Sequence, residues 1–417
     1  MGYKLRILLM SIVTGIVIAG CAPVVTTQTV VETVVVKETV EVETIVEKEV
    51  VVTAEPGEEN ALADAALREQ DALLEAYARQ PAEYGLPEIR PPARAFKMVD
   101  TSQFKKDPPY TVAWASQGPT NSWAVIYDTQ VQYLLDTKYA DIVEDFLYAD
   151  ANGNADKQVN DVEDLVAQQP DVLIVTPMGQ AIKGGIERAM EQGIPVVLCT
   201  GEVDTADGYV TYVDRDNYLN GAMFAEWVAK QIDYEGKIIM ESGIAGVPTA
   251  ENRLRGARDV FAKYPDIEIL GHAYADWSPV KGKQVTEAFL AANPEIDAVW
   301  SDSALMMVGA IEAFNEAGRD IPPMSTEPLN GFLRLAKEND VEFLAVGYPP
   351  NHSAACLDIA ISILAGESVP NFVNIDVAVF DNTEIDDWYR EGYSDDLWVD
   401  LPQYTLPDAI LEELELK

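Results

Sequence analysis

The side chains best equipped for chemistry are few in this sequence. It holds two histidines, His272 and His352, and three cysteines, Cys21, Cys199 and Cys356, and none of these fall at paired metal-ligand spacing. No glycine-rich phosphate loop, dinucleotide fingerprint or GxSxG elbow occurs, so nucleotide chemistry and acyl transfer lack their usual groups. The stretch "DANGNAD", 150–156, alternates Asp and Asn as a calcium loop does. Ala155, however, stands where the tight turn wants glycine, and Asp161 where a bidentate Glu would close the site, so the stretch reads as a helix-capping loop. What remains is binding chemistry. In "GPTNSW", 118–123, Trp123 follows the apolar run "YTVAWAS" across a Gly-Pro turn, where water should reach it.

The elements that would position such a residue have a regular rhythm. Short apolar runs, "YTVAWAS", "IVEDFLYA", "DVLIVTP", "PVVLCT", "GKIIMESG", "IEILGHAY", "DAVWSD" and "EFLAVGYP", alternate with amphipathic stretches of helical period. Strands alternating with helices imply parallel sheets covered on both faces. About 300 residues of such units exceed one comfortable core. The expected fold class is therefore α/β, with two doubly wound parallel-sheet lobes, and ligands in such sheets bind beyond the carboxyl ends of the strands.

Charge and the amino-terminal region narrow the setting. With 29 Lys and Arg against 70 Asp and Glu, the net charge is −41, which repels phosphate backbones, so nucleic acid is excluded as a partner. Lys4 and Arg6, the apolar run "ILLMSIVTGIVI" and "AG" before Cys21 form a processing signal too short to span a bilayer. Residues 1–21 are set apart as that signal, and 22–57 as a tether rich in Val, Thr and Glu. At roughly 3.3 Å per residue, an extended tether of about 30 residues reaches up to about 100 Å. Near-heptad apolar spacing leaves a coiled coil as its alternative. Residues 58–109 read as a helix outside the main core followed by a proline-rich linker, with the globular part starting at Tyr110. Cys199, in a buried strand, and Cys356, in a helical run, read as two buried thiols.

Several stretches in order, "NSWA", "DANGNADKQVNDVEDLVAQQPDVLIVTP", "GIPVVL", "VDRDNYLNGAMFAEWV", "IAGVPTAENRLRG", "YADWSPVKG", "NPEIDAV" and "ALMMVGAIEAFNEAG", resemble the type I periplasmic sugar-binding proteins, the ribose-binding group in particular. "IAGC" likewise resembles the lipobox of bacterial lipoproteins, which implies lipidation at Cys21 and an anchor on the outer face of a membrane. The alternative is a plain secretory signal, and either reading puts the mature protein outside the cytoplasm. The family resemblance implies a three-crossing hinge, with a first lobe from 110–215 plus 348–371 and a second from 216–347 plus 372–417. It implies a monomeric globular part that holds a monosaccharide without cofactor or metal, closes around it, and docks on an ABC permease.

A sugar offers hydroxyls to hydrogen-bond and apolar C–H faces to stack on. By position within the resemblance, Trp123 and Trp277 would be the facing plates, Asn121 an amide donor, and Arg253 the fork that grips two hydroxyls. The chain departs from the ribose pattern at Thr176, Thr200, Glu202, Asp302, Ser303, Glu327 and Tyr348, where the family's Asp-Arg pair and amides give way to hydroxyls and acids. Ribose itself is thereby disfavoured, and another pentose, a hexose or a polyol stays open. The scarcity of histidine, and the lack of a nucleophile beside a base, point away from an enzyme. A ligand sensor on the same fold, or a binder of a nucleoside or another small polar ligand, is the other reading.

Overall fold

A computed structural model describes residues 24–30, 48–54, 67–68, 71–72, 75–76, 78–92 and 94–417. The signal segment, Cys21, the middle of the tether and much of the expected 58–80 helix lie outside the described residues. Val24–Val30 and Lys48–Ala54 pair antiparallel, Val24 opposite Ala54. The backbone is extended there, as Val and Thr favour.

The first lobe is built from β1 (Tyr110–Ser116), α1 (Ser122–Asp136), β2 (Val143–Asp150), α2 (Ala155–Ala167), β3 (Val172–Val175), α3 (Lys183–Glu191), β4 (Val196–Cys199) and β5 (Thr211–Asp214). The second follows as α4 (Asn217–Gln231), β6 (Gly236–Ser242), α5 (Pro248–Phe261), β7 (Ile267–Tyr274), α6 (Pro279–Ala292), β8 (Ala298–Ser301), α7 (Ala304–Ala317), β9 (Met324–Thr326), α8 (Asn330–Asn339) and β10 (Phe343–Val346). The chain then returns through α9 (Ser353–Ala365) and β11 (Phe372–Asn374), crosses again to β12 (Val379–Asp381), and ends through α10 (Ile385–Trp388) and α11 (Asp408–Glu413). The first sheet has the order β11-β5-β4-β3-β1-β2, all parallel. The second has the order β7-β6-β8-β9-β10-β12, with only β12 antiparallel. The fold is the doubly wound pair that the alternation of apolar runs implies.

All eight apolar runs are strands. Four short strands, "TYVD", "MST", "FVN" and "VFD", were not expected, because three or four residues carry no period to read. One of them moves a lobe boundary. Phe372–Asn374 pairs with Tyr212–Asp214 in the first sheet, so the second lobe's last segment starts after Asn374 and not at 372. The crossings between sheets thus lie between Asp214 and Asn217, between Val346 and Ser353, and between Asn374 and Val379.

The globular part also starts earlier than Tyr110. Ala78, Leu86, Ile89 and Phe104 are buried, and Met98–Val99 pairs with Val369–Pro370. Proline keeps most of this segment free of repetitive structure, as expected, but a chain without repeating hydrogen bonds can still bury its apolar side chains. The two thiols expected at Cys199 and Cys356 are instead joined as a disulfide, with Cα atoms 6.1 Å apart. Helix α9 packs on β4, and that packing, invisible in the sequence separation of 157, brings the sulfurs together.

Two glycines fix the position of α5. A Cβ added at Gly221 of α4 would lie 1.9 Å from the Arg253 carbonyl oxygen, and one at Gly256 of α5 would lie 2.1 Å from that of Tyr218. Only hydrogen fits between these backbones. Gly221→Ala is expected to push the helices apart and cost about 1 to 3 kcal/mol as an overpacked contact. Chemical denaturation of the variant checks this, and an unchanged midpoint counts against the close approach.

Candidate functional site

The carboxyl ends of both sheets face a cavity between the lobes. Asn121, Trp123, Thr200, Arg253, Trp277, Ser303, Glu327 and Tyr348 line it together, from both lobes and the hinge. Four residues that the sequence analysis did not single out also line it: Gln117, Pro177, Val247 and Thr249. Thr249 was legible, because it lies one turn before Arg253 on the same helix. Leu305 and Trp398 complete the wall.

Arg253 is the centre of the site. Its side chain is 2% exposed, and its Nε donates to Asn217 Oδ1 at 2.9 Å. Nη1 donates to the Asp302 carbonyl oxygen at 2.5 Å and to Glu327 Oε1 at 2.9 Å. The guanidinium carbon sits 4.5 Å from the centre of the Tyr348 ring. Burial opposes its charge, but Glu327 and Asp302 outweigh burial and hold it protonated. Nη2 is buried and, among the described residues, has no hydrogen-bond partner. A buried charged donor without an acceptor is costly, so this group is poised for an acceptor that enters the cavity.

The other polar groups are partly committed to the fold. Asn121 Oδ1 caps α1 by accepting from Ala124 N at 3.0 Å, which leaves its Nδ2 to offer. Ser303 caps α7, its Oγ accepting from Leu305 N at 3.3 Å. Glu327 is pushed up to about 7 by burial, against the pull of Arg253. Tyr348 donates its hydroxyl to Asp214 Oδ1 at 2.5 Å, so it faces the cavity as a ring and not as a donor. Thr200, at φ +67°, accepts at its carbonyl oxygen from the Thr249 hydroxyl across the lobes.

The two tryptophans line the same cavity but differ from the expected plates in one respect. Trp123 is 8% exposed and does not stand in water. Its ring is near-parallel to Tyr127 at 4.8 Å and to Tyr348 at 5.6 Å, and its Nε1 donates to the Tyr348 carbonyl oxygen at 2.7 Å. These partners take up ring surface that the sequence reading assigned to a ligand. Trp277 keeps a turn of two left-handed residues, with φ +54° at Asp276 and +48° at itself. Its indole lies where a Cβ on Gly243 would be, and its Nε1 donates to Asp302 Oδ1 at 3.0 Å.

Three expected residues do not reach the cavity wall. Thr176 is buried behind it, 3.1 Å from the Tyr127 hydroxyl. Asp302 also lies behind the wall, spending its carboxylate on Trp277 and on Gly243 N. Glu202 points into a separate crevice, where Arg94 grips it with two bonds of 2.9 and 2.6 Å. Arg94 comes from the proline-rich stretch that the sequence reading left outside the core, so this pairing could not be foreseen. "DANGNAD" does cap a helix: Asn154 Oδ1 accepts from Lys157 N at 3.0 Å.

Residues 112–368, more than half of the chain, match the family model described as "Periplasmic binding protein domain". The chain belongs to this family. Among its relatives is the ribose import binding protein of Bacillus subtilis, 28% identical over 230 residues that cover 55% of this chain and 74% of the relative. The xylitol-binding protein of Mycolicibacterium smegmatis is 27% identical over 248 residues, covering 56% and 71%. An ABC transporter periplasmic solute-binding protein from Actinobacillus succinogenes, solved with bound D-allose, is similar with a TM-score of 0.59. It is 25% identical and the match covers 67% of this chain and 100% of that one. Among the described residues, no helix of this periplasmic binding protein is long and apolar enough to cross a membrane.

Burial raises several carboxyls of the hinge and second lobe: Asp214 and Asp400 to about 7, and Glu241 to about 8. Over that range these groups keep a proton when folded and have lost it when unfolded. Stability therefore falls as pH rises from about 4 to about 8. His352, lowered to about 4 by burial, and His272, also lowered chiefly by burial, act in the opposite sense below about 6.5, two groups against several. The thermal midpoint is expected to be lower at pH 8 than at pH 5.5, with Glu241→Gln flattening part of the slope. Calorimetry across that range checks the sign.

Proposed function

We propose that this chain is an extracytoplasmic solute-binding protein that captures one monosaccharide or polyol between its lobes and delivers it to an ABC permease. It acts by binding and release, not by catalysis, and Cys21 carries the lipid that keeps it at the membrane. The observation that carries the reading is the buried, unaccepted Nη2 of Arg253 in a cavity that also holds Glu327, Ser303, Thr249 and Asn121. A small molecule with several adjacent hydroxyls both accepts from the guanidinium and donates to Glu327. Tryptophan and proline walls suit its C–H faces. The relatives named for ribose and xylitol, and the one solved with D-allose, support this class of ligand. They differ in the sugar or polyol they name, and hydroxyls and acids stand here at the positions where the ribose pattern carries amides and an arginine, so the class is proposed and not ribose.

Binding favours the closed state, because only there do α1 and α5 present their residues to one ligand. In this structure the lobes already meet through Thr249 and Thr200, and through Val247 packed with Met178 and Ala151. Isothermal titration of the purified chain against pentoses, hexoses, polyols and nucleosides is expected to give binding for one group of sugars or polyols. Arg253→Ala should weaken that binding by roughly 2 to 4 kcal/mol, because it leaves ligand hydroxyls desolvated without a charged partner. Wild-type affinity in this variant, or binding of nucleosides alone, contradicts the assignment.

A further inference from the structure

The family match ends at residue 368, yet a residue well beyond it forms part of the cavity wall. Trp398 lies in the irregular stretch between α10 and α11 and is 7% exposed. Its backbone is stitched to the second lobe. Trp398 bridges Leu329, Val399 N donates to the Pro328 carbonyl oxygen at 2.9 Å, and Asn330 N donates to that of Leu397 at 2.8 Å. These bonds fix it beside Glu327. Its indole reaches the first lobe, where Nε1 donates to Ser122 Oγ at 3.3 Å, next to Asn121 and Trp123.

The neighbouring residues hold this stretch to the hinge. Asp400 Oδ1 accepts from Ala378 N at 2.8 Å in the third crossing, and a Cβ on Gly347, in the second, would lie 2.1 Å from Asp400 Oδ2. Arg215, in the first crossing, acts on the same carboxylate. Farther on, Asn351 Nδ2 donates to the Tyr404 carbonyl oxygen at 2.5 Å, and α11 packs on α1. The segment is fastened to both lobes and to all three crossings, so the position of Trp398 is built in.

We infer that Trp398 is a specificity-determining residue and that the C-terminal segment is a wall of the ligand cavity. This rests on the sugar or polyol reading above. With its N–H spent on Ser122, the indole offers the cavity only apolar surface. It therefore fits a C–H edge of the ligand and leaves no room for a substituent at that edge. The ligand class is a monosaccharide or polyol unsubstituted at that edge, and a mono-O-methyl derivative that carries its methyl there is shut out.

The test uses the full chain, with calorimetric titration of free sugars and polyols and of their mono-O-methyl derivatives. Wild type is expected to bind one free compound and to bind at least one of its methyl derivatives at least a hundredfold more weakly. Trp398→Ala and Trp398→Leu should lose tenfold or more for the free compound while the gap to that derivative narrows at least tenfold. Trp398→Phe, which keeps a ring there, should retain most of the gap. A purely structural role would weaken all compounds by one factor and leave the gap intact, and that result overturns the inference. So does an unchanged profile in whichever of the Ala and Leu variants folds, as judged by its thermal midpoint. A wild-type chain that binds no sugar or polyol overturns the functional reading and this inference with it, whereas binding with an unmoved gap overturns this inference alone.

Discussion

The burial of one guanidinium constrains most of this molecule. Arg253 can lie 2% exposed only because Asn217, the Asp302 carbonyl, Glu327 and the Tyr348 ring surround it. Each of those supports has its own support. Asn217 Nδ2 donates to Asp214 Oδ2 at 2.8 Å, and Asp214 also accepts the Tyr348 hydroxyl. The first two hinge crossings thus share a carboxylate, and the same network runs on to the arginine. A charge placed so deep demands this much satisfaction, since leaving it half solvated would cost more than the packing around it returns.

The close approach of α4 and α5 serves the same end. Asn217 begins one helix and Arg253 lies midway along the other, and glycines at 221 and 256 let the two backbones touch. Had either carried a side chain, the Nε to Oδ1 bond would stretch. Helix packing in the second lobe therefore sets the geometry of a donor that faces the first.

Much of this was legible in the sequence. The eight apolar runs gave the alternation of strand and helix, because a strand buried on both faces is a continuous hydrophobic run. The order of motifs brought eight of the eleven expected residues to one cavity. Thr176 and Asp302 missed the wall by one layer, a distance that linear position does not encode. Glu202 was lost to Arg94, a partner from a stretch whose prolines suggested it would not pack. Trp398 carried no signal, since it belongs to no periodic element and touches the site only through the fold of a tail. The state of Cys199 and Cys356 was hidden for the same reason: composition describes each thiol's surroundings but not their proximity.

That cross-link has a topological result. Its two ends both belong to the first lobe, one at the end of β4 and the other in α9, while residues from α4 through β10 fall entirely inside the intervening loop. Most of the second lobe is therefore inserted in a covalent ring, with only β12 and the C-terminal segment outside it, and if that part melts, both its ends stay tethered to the first lobe. Closing so long a loop removes conformational freedom from the denatured chain worth roughly 5 kcal/mol. An oxidising environment would thus let one half of the protein serve as a template on which the other refolds.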